Sequence, residues 1–248
     1  MSNKPNGAIL YRGPSMLDGA PIVVIATGLT GKSRNAKTGD MVQTWILRDD
    51  VDPHDATKGG EDASICGDCV HRPALGGSCY VKVFQAPKSV WKAFQRGVYS
   101  EGLDYAVQAA AGRMVRLGSY GDPAAVPLRV WEAFTSLAEG WTGYTHQWRT
   151  APAGFKPLVM ASADSEAEGI IARVSGWRTF RVRTASEPIL AKQEFMCPAS
   201  EEAGRKTDCA SCKACMGTES KARVSPVIIA HGNTARRFTL TRNGQIAA

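Results

Sequence analysis

Long apolar runs are missing from this sequence of 248 residues: none approaches the roughly 18 residues that a transmembrane helix needs. The opening stretch, Met1-Ser2-Asn3-Lys4-Pro5-Asn6-Gly7, also lacks the apolar core of a signal peptide. These absences lead us to expect a soluble, cytoplasmic protein with no membrane partner. No run of five basic residues occurs, although the net charge is +7. Charge spread in this way permits a nucleic-acid partner without singling one out. No internal repeat and no low-complexity tract interrupts the chain. An even cysteine count is absent as well. Seven cysteines cannot all pair, and without a secretory leader, close Cys-x-x-Cys pairs read as metal ligands rather than bridges.

What is present suits a folded α/β protein. Hydrophobic residues make up 44% of the chain, enough for a sizeable core. The length fits one large domain or two small ones. Residues 1–20 are polar and rich in Gly and Pro, and read as an irregular arm. Residues 21–27 (PIVVIAT) and 41–48 (MVQTWILR) read as strands, and 49–64 as an acidic loop. After Cys79, CYVKVF alternates like a strand. Helical spacing follows at 89–98 and 103–112, a strand at 115–119, and a helix at 126–138 with Val130, Phe134 and Leu137 on one face. Strands at 143–148, 157–162 and 177–183, a helix at 165–174 and a last strand at 226–230 complete the pattern. Strands alternating with helices imply βαβ units and a parallel sheet. The organisation divides into an arm and β-rich segment (1–64), an α/β core (65–196), a Cys-rich metal-binding insertion (197–223) and a final strand and tail (224–248).

The cysteines fall into two groups. The second is Cys197-Pro198, ten further residues, then Cys209-Ala-Ser-Cys212-Lys-Ala-Cys215. Two consecutive Cys-x-x-Cys steps put three sulfurs on one tight loop, and Cys197 can close a fourth position. Four thiolates satisfy tetrahedral zinc or a [4Fe–4S] cube. The spacing, with Pro after the remote ligand, is nearer the ferredoxin type. The first group is Cys66-Gly-Asp-Cys69, nine residues, then Cys79-Tyr80. It has three thiols. His71 could complete a zinc site. Alternatively, three thiolates on a [4Fe–4S] cluster leave one iron open to a substrate or to S-adenosylmethionine.

Other residues are candidates by position. Gly118-Ser119-Tyr120-Gly121-Asp122-Pro123 lies between a predicted strand and a predicted helix, where parallel α/β folds bind ligands. It reads equally as a tight turn with Asp122 and Pro123 opening a helix. Tyr144, His146 and Trp148 share one face of a predicted strand by period-two alternation. Ser162 and Asp164 end the next strand, Asp164 being as good a helix cap as a ligand contact. Arg181 and Arg183 share a face further on and would bind carboxylate or phosphate if turned inward. Gly118, Ser119, Gly121, Asp122, Ser162 and Asp164 are the cofactor-binding candidates, and His146 and Arg181 the substrate-facing ones. The stretch from Ala26 to Ser33 nearly spells a P-loop, but Ala26 replaces its first glycine and a turn-rich stretch follows its lysine. Asn35, Lys37 and Thr38 remain as a polar loop.

The order Cys66-x-x-Cys69…Cys79-Tyr80, then strand-Gly-Ser-Tyr-Gly-Asp-Pro, then alternating strands and helices, resembles the radical S-adenosylmethionine (radical SAM) enzymes. The chain is also similar to phage and prophage proteins with a Cys-Pro…Cys-x-x-Cys-x-x-Cys ending. The first resemblance implies a TIM-like partial barrel whose three-cysteine motif follows the first barrel strand. It also implies that Gly121-Asp122-Pro123 stands where a Gly-Gly-Glu-Pro-like stretch contacts the cofactor's methionine moiety, and that Cys197, Cys209, Cys212 and Cys215 hold an auxiliary cluster. The spacing here, C-x2-C-x9-C, departs from the usual C-x3-C-x2-C. The expectation is an α/β iron–sulfur protein with one or two 4Fe–4S clusters, radical SAM-like, acting on a nucleotide or nucleic-acid-related substrate (in a host cytoplasm, if phage-encoded). The rival expectation is a zinc-binding, non-enzymatic nucleic-acid-binding protein.

Overall fold

A computed structural model describes residues 4–33, 35–232 and 234–245. Nine strands form one sheet. They are β1 (Gly7–Pro14), β2 (Pro21–Thr27), β3 (Met41–Arg48), β4 (Met114–Tyr120), β5 (Gly140–Thr145), β6 (Met160–Ala163), β7 (Thr179–Arg183), β8 (Glu194–Met196) and β9 (Ser225–Ile229). Their order is β1-β2-β3-β4-β5-β6-β7-β9-β8. The β1–β2 and β2–β3 pairs are antiparallel, and every pair from β3 onward is parallel. The sheet is open, with β1 and β8 at its edges. The segments 1–64, 65–196 and 224–248 therefore supply β1–β3, β4–β8 and β9 to one sheet, and 197–223 connects β8 to β9.

The helices between the strands are α1 (Pro53–Gly59), α2 (Ala63–Cys66), α3 (Ala86–Gln95), α4 (Leu103–Ala109), α5 (Leu128–Thr135), α6 (Glu166–Val174), α7 (Cys209–Cys212) and α8 (Ala235–Arg242). The β-branched run of β2 is buried on both faces, from Ile22 to Ala26, as a strand flanked and covered on all sides must be. Trp131 and Phe134 of α5 and Val115 and Leu117 of β4 are buried in the same main core. Burial of each such side chain stabilises by about 1.5–3 kcal/mol. Leu137 lies past the end of α5 and is exposed.

Several expectations change. The irregular arm contains β1, which pairs with β2 despite Gly13 and Pro14; an edge strand tolerates both. The acidic loop contains α1, capped by Asp52, and α2, which ends on Cys66. CYVKVF is not a strand, although the sheet keeps open edges at β1 and β8. It runs irregularly into α3 with Val83 buried and Phe84 exposed. The strands β8 and β9 bracket the second cysteine group. The near-P-loop is followed by turns rather than by a helix. No helix among the described residues is long and apolar enough to cross a membrane.

Candidate metal centre

The first cysteine loop leaves the carboxyl end of β3. Arg72, which the sequence reading overlooked, holds it in shape. Its guanidinium pairs with buried Asp62 (2.9 Å) and donates to the carbonyls of Gly60 (2.7 Å) and Gly67 (3.0 Å). Cys79 N–H donates to the His71 carbonyl (2.9 Å), which brings the third cysteine back beside the first two. An added Cβ at Gly77 would lie 2.3 Å from the His71 backbone, so only glycine allows this return.

The second group is held by other elements. The amide of Cys209 donates to the Lys37 carbonyl (2.9 Å) and that of Ala210 to Thr38 (3.0 Å), beside the amino end of β3. Asp208 caps α7 by accepting from Ser211 N–H (2.7 Å). The amide of Cys197 donates to Val227 of β9 (2.9 Å). Arg178 gathers the returning chain by donating to the carbonyls of Ala214, Gly217 and Val224 (2.7–3.0 Å). Asn35 forms a turn by accepting from Lys37 and Thr38 N–H, so the polar loop orients Lys37.

All seven cysteines carry free thiols and line one cavity of about 220 Å³. Its walls come from the strands: Arg116, Gly118 and Tyr120 of β4, Thr142 and Tyr144 of β5, Ser162 of β6, Phe180 and Val182 of β7, and Pro226 and Ile228 of β9. Burial raises the Cys66 thiol well above its ordinary value, and the neighbouring charges of Cys69 and Cys79 add to this. Burial likewise pushes Cys215 up to about 12. A set of buried sulfurs that oppose one another's ionisation is relieved by a metal cation, and thiolate donors suit zinc or iron–sulfur clusters.

Thiolate donors suit both, and the sulfurs are not gathered around a single point. Among the described residues no three cysteine sulfurs lie within 4.8 Å of one another. His71 does not complete the first group as the chain stands. Its Nδ1 meets Ser78 Oγ and its Nε2 meets Asp164 Oδ1, both at 2.8 Å.

Asp122 accepts from the amides of Ala124 (2.9 Å) and His146 (2.8 Å), and its own amide donates to Ile65 (2.6 Å). It therefore ties the ends of β4 and β5 to the first cysteine loop, the helix-opening role that was one of its two readings. Gly118 and Gly121 both have left-handed backbone (φ 71° and 84°). A Cβ at Gly121 would lie 2.6 Å from Ile46 Cβ. Ser119 Oγ donates to Gln43 at 2.6 Å. Ser162 faces the cavity.

Asp164 does not cap α6; Ser165 does, accepting from Glu168 N–H. Asp164 lies between His71 and His146, with His146 Nε2 at 3.5 Å from its Oδ2. These three are the group of donors close enough together to hold a single ion. Burial alone would raise the Asp164 carboxyl, but the two imidazoles hold it well below the carboxylate range. Burial works against a charged His146, yet Cys69 and Asp164 raise it well above its ordinary value. Tyr144 and His146 line the cavity, whereas Trp148 is in the main core and β5 ends at Thr145.

Arg181 is misplaced as a substrate-facing residue. The cavity side of β7 is Phe180 and Val182, so period two turns Arg181 and Arg183 to the opposite face. There Arg181 forms a bidentate pair with Glu194 (2.7 Å for both bonds) and Arg183 meets Glu202. The guanidinium that does line the cavity is Arg116. Its even spacing with Gly118 and Tyr120 was the available signal. Compared with known proteins, the chain matches no family model, no curated protein and no solved structure.

Proposed function

We propose that this chain is an iron–sulfur enzyme of the radical SAM type, its parallel strands β3 to β9 arranged as a partial barrel around two four-iron clusters. The observation that carries the reading is the sharing of one strand-walled cavity by a three-thiol and a four-thiol group. Cys66, Cys69 and Cys79 would hold the first cluster and leave one iron open. Cys197, Cys209, Cys212 and Cys215 would hold the second, closed one. When bound, the open cluster supplies an electron to a coordinated S-adenosylmethionine and so starts radical chemistry.

The protein's own groups would bind, orient and exclude water. Gly118 and Gly121 let backbone come close to a ligand, and Asp122 fixes the ends of β4 and β5 beside it. Phe180, Val182 and Ile228 make the far wall apolar. Tyr120 Oη and Thr142 Oγ1 line the cavity without a hydrogen-bond partner among the described residues, and a bound molecule would satisfy them. A nucleotide or nucleic-acid-related substrate agrees with the net charge of +7 and with Lys37 and Arg116 in the cavity.

The test is anaerobic purification followed by iron, sulfide and zinc analysis, then S-adenosylmethionine cleavage under reduction. Brown protein near eight irons that releases deoxyadenosine is the expected result. Colourless protein with stoichiometric zinc would leave the nucleic-acid-binding zinc protein in its place.

A further inference from the structure

The two cysteine groups share a cavity but not an electrostatic environment. Around the second group stand three cations, Lys37, Arg116 and Arg178, none in an ion pair with a carboxylate among the described residues. The Lys37 ammonium rests 3.0 Å from His231 Nε2, and its backbone carbonyl accepts from Cys209. The Arg116 guanidinium lies 5.8 Å from the Tyr144 ring centre, and Tyr144 lines the same cavity next to Cys215. Of the nearby anions, Glu202 is matched by Arg183 and Glu139 by Lys213, while Asp208, which caps α7, has no basic partner among the described residues and offsets one of the three cations.

The first group is surrounded differently. Asp62 is matched by Arg72, and His146 by Asp164. Asp122 is buried and meets only backbone amides and the Thr145 hydroxyl. The second surrounding therefore carries about two positive charges more than its anions, whereas the first is neutral to negative. Positive charge and hydrogen bonds to sulfur stabilise the reduced, more negative state of an iron–sulfur cluster, and their effect is large in a buried site.

We propose that the cluster held by Cys197, Cys209, Cys212 and Cys215 has a higher reduction potential than the one held by Cys66, Cys69 and Cys79, and that Lys37, Arg116 and Tyr144 set the difference. This rests on the iron–sulfur reading above. An electron on the molecule then resides at the second site, and the first is the stronger reductant. The three residues act through charge and hydrogen bonding to the cluster and need touch no substrate.

The experiment is a redox titration of the anaerobically purified protein, followed by electron paramagnetic resonance. Cys66→Ala and Cys209→Ala variants assign the two signals. The second site is expected to reduce first. Arg116→Gln and Lys37→Gln should each lower its midpoint by tenfold or more in the one-electron equilibrium, about 59 mV, and leave the first site's unchanged. Arg116→Lys should restore most of the shift. Tyr144→Phe, which removes only a hydroxyl, should lower the midpoint less and covers the case that Arg116→Gln fails to fold. Equal or inverted midpoints, or an unmoved midpoint in Tyr144→Phe and a folded Arg116→Gln with full iron, would overturn the proposal alone. Protein that binds no iron overturns the iron–sulfur reading itself, and iron analysis shows this before any titration.

Discussion

At the residue scale, burial and pairing decide which polar groups face the cavity. Arg181 is the clearest case: its chemistry suits an anion, but its partner is the carboxylate of Glu194, and both side chains are almost wholly buried. Removing one member leaves the other charge buried and unpaired, so Glu194→Gln should cost about 3–5 kcal/mol in urea denaturation. The same pair predicts acid sensitivity. Burial would raise the Glu194 carboxyl, but Arg181 and the Leu190 amide hold it below its ordinary value. A carboxyl lowered in the folded state contributes stability that is complete above its unfolded value of about 4.3 and is lost as pH falls through the folded value. Unfolding measured from pH 6 downward should show this loss in the wild type and a smaller one in Glu194→Gln. The glycine prediction is local as well. Gly121→Ala places a Cβ 2.6 Å from Ile46 in left-handed backbone and should destabilise by more than about 1 kcal/mol, read as a lowered Tm. The cysteine spacing in the sequence pointed to both groups. Arg72 and Arg178 were not legible, because no local pattern tells a guanidinium that binds backbone carbonyls from one that is solvated.

At the element scale, the strands were legible wherever the pattern was strong. PIVVIAT and MVQTWILR are β2 and β3 to the residue, because a β-branched apolar run in a buried sheet leaves little choice. CYVKVF alternates just as well and is not a strand; it leads irregularly into α3, so alternation alone does not make a strand. β8 has three residues, too few for a period to register. Helix α6 shows a local device with a measurable contribution. Ser165 Oγ accepts from Glu168 N–H at 3.1 Å and the Glu168 carboxylate accepts from Asp164 N–H at 2.7 Å, a capping box. Ser165→Ala should cost about 1 kcal/mol by thermal or chemical denaturation. An unchanged stability would mean that the cap does not hold the start of α6, and with it the backbone of Asp164.

At the scale of the whole molecule, the sequence indicated parallel α/β architecture through its alternation of strands and helices, and the sheet is parallel from β3 to β9. It could not show that the two cysteine groups, 118 residues apart between Cys79 and Cys197, would line one cavity. That depends on β9 returning beside β7 and on the 37–38 carbonyls receiving α7, contacts between segments distant in the chain. The shared cavity is the central claim, and it makes the two sites separable in metal content yet joined in space. The most direct measurement is the iron content of anaerobically purified wild type and Cys66→Ala. The account predicts near eight irons per chain falling to near four, with S-adenosylmethionine cleavage abolished and the second cluster's signal retained. Zinc in place of iron, or cleavage that survives in Cys66→Ala, would contradict it.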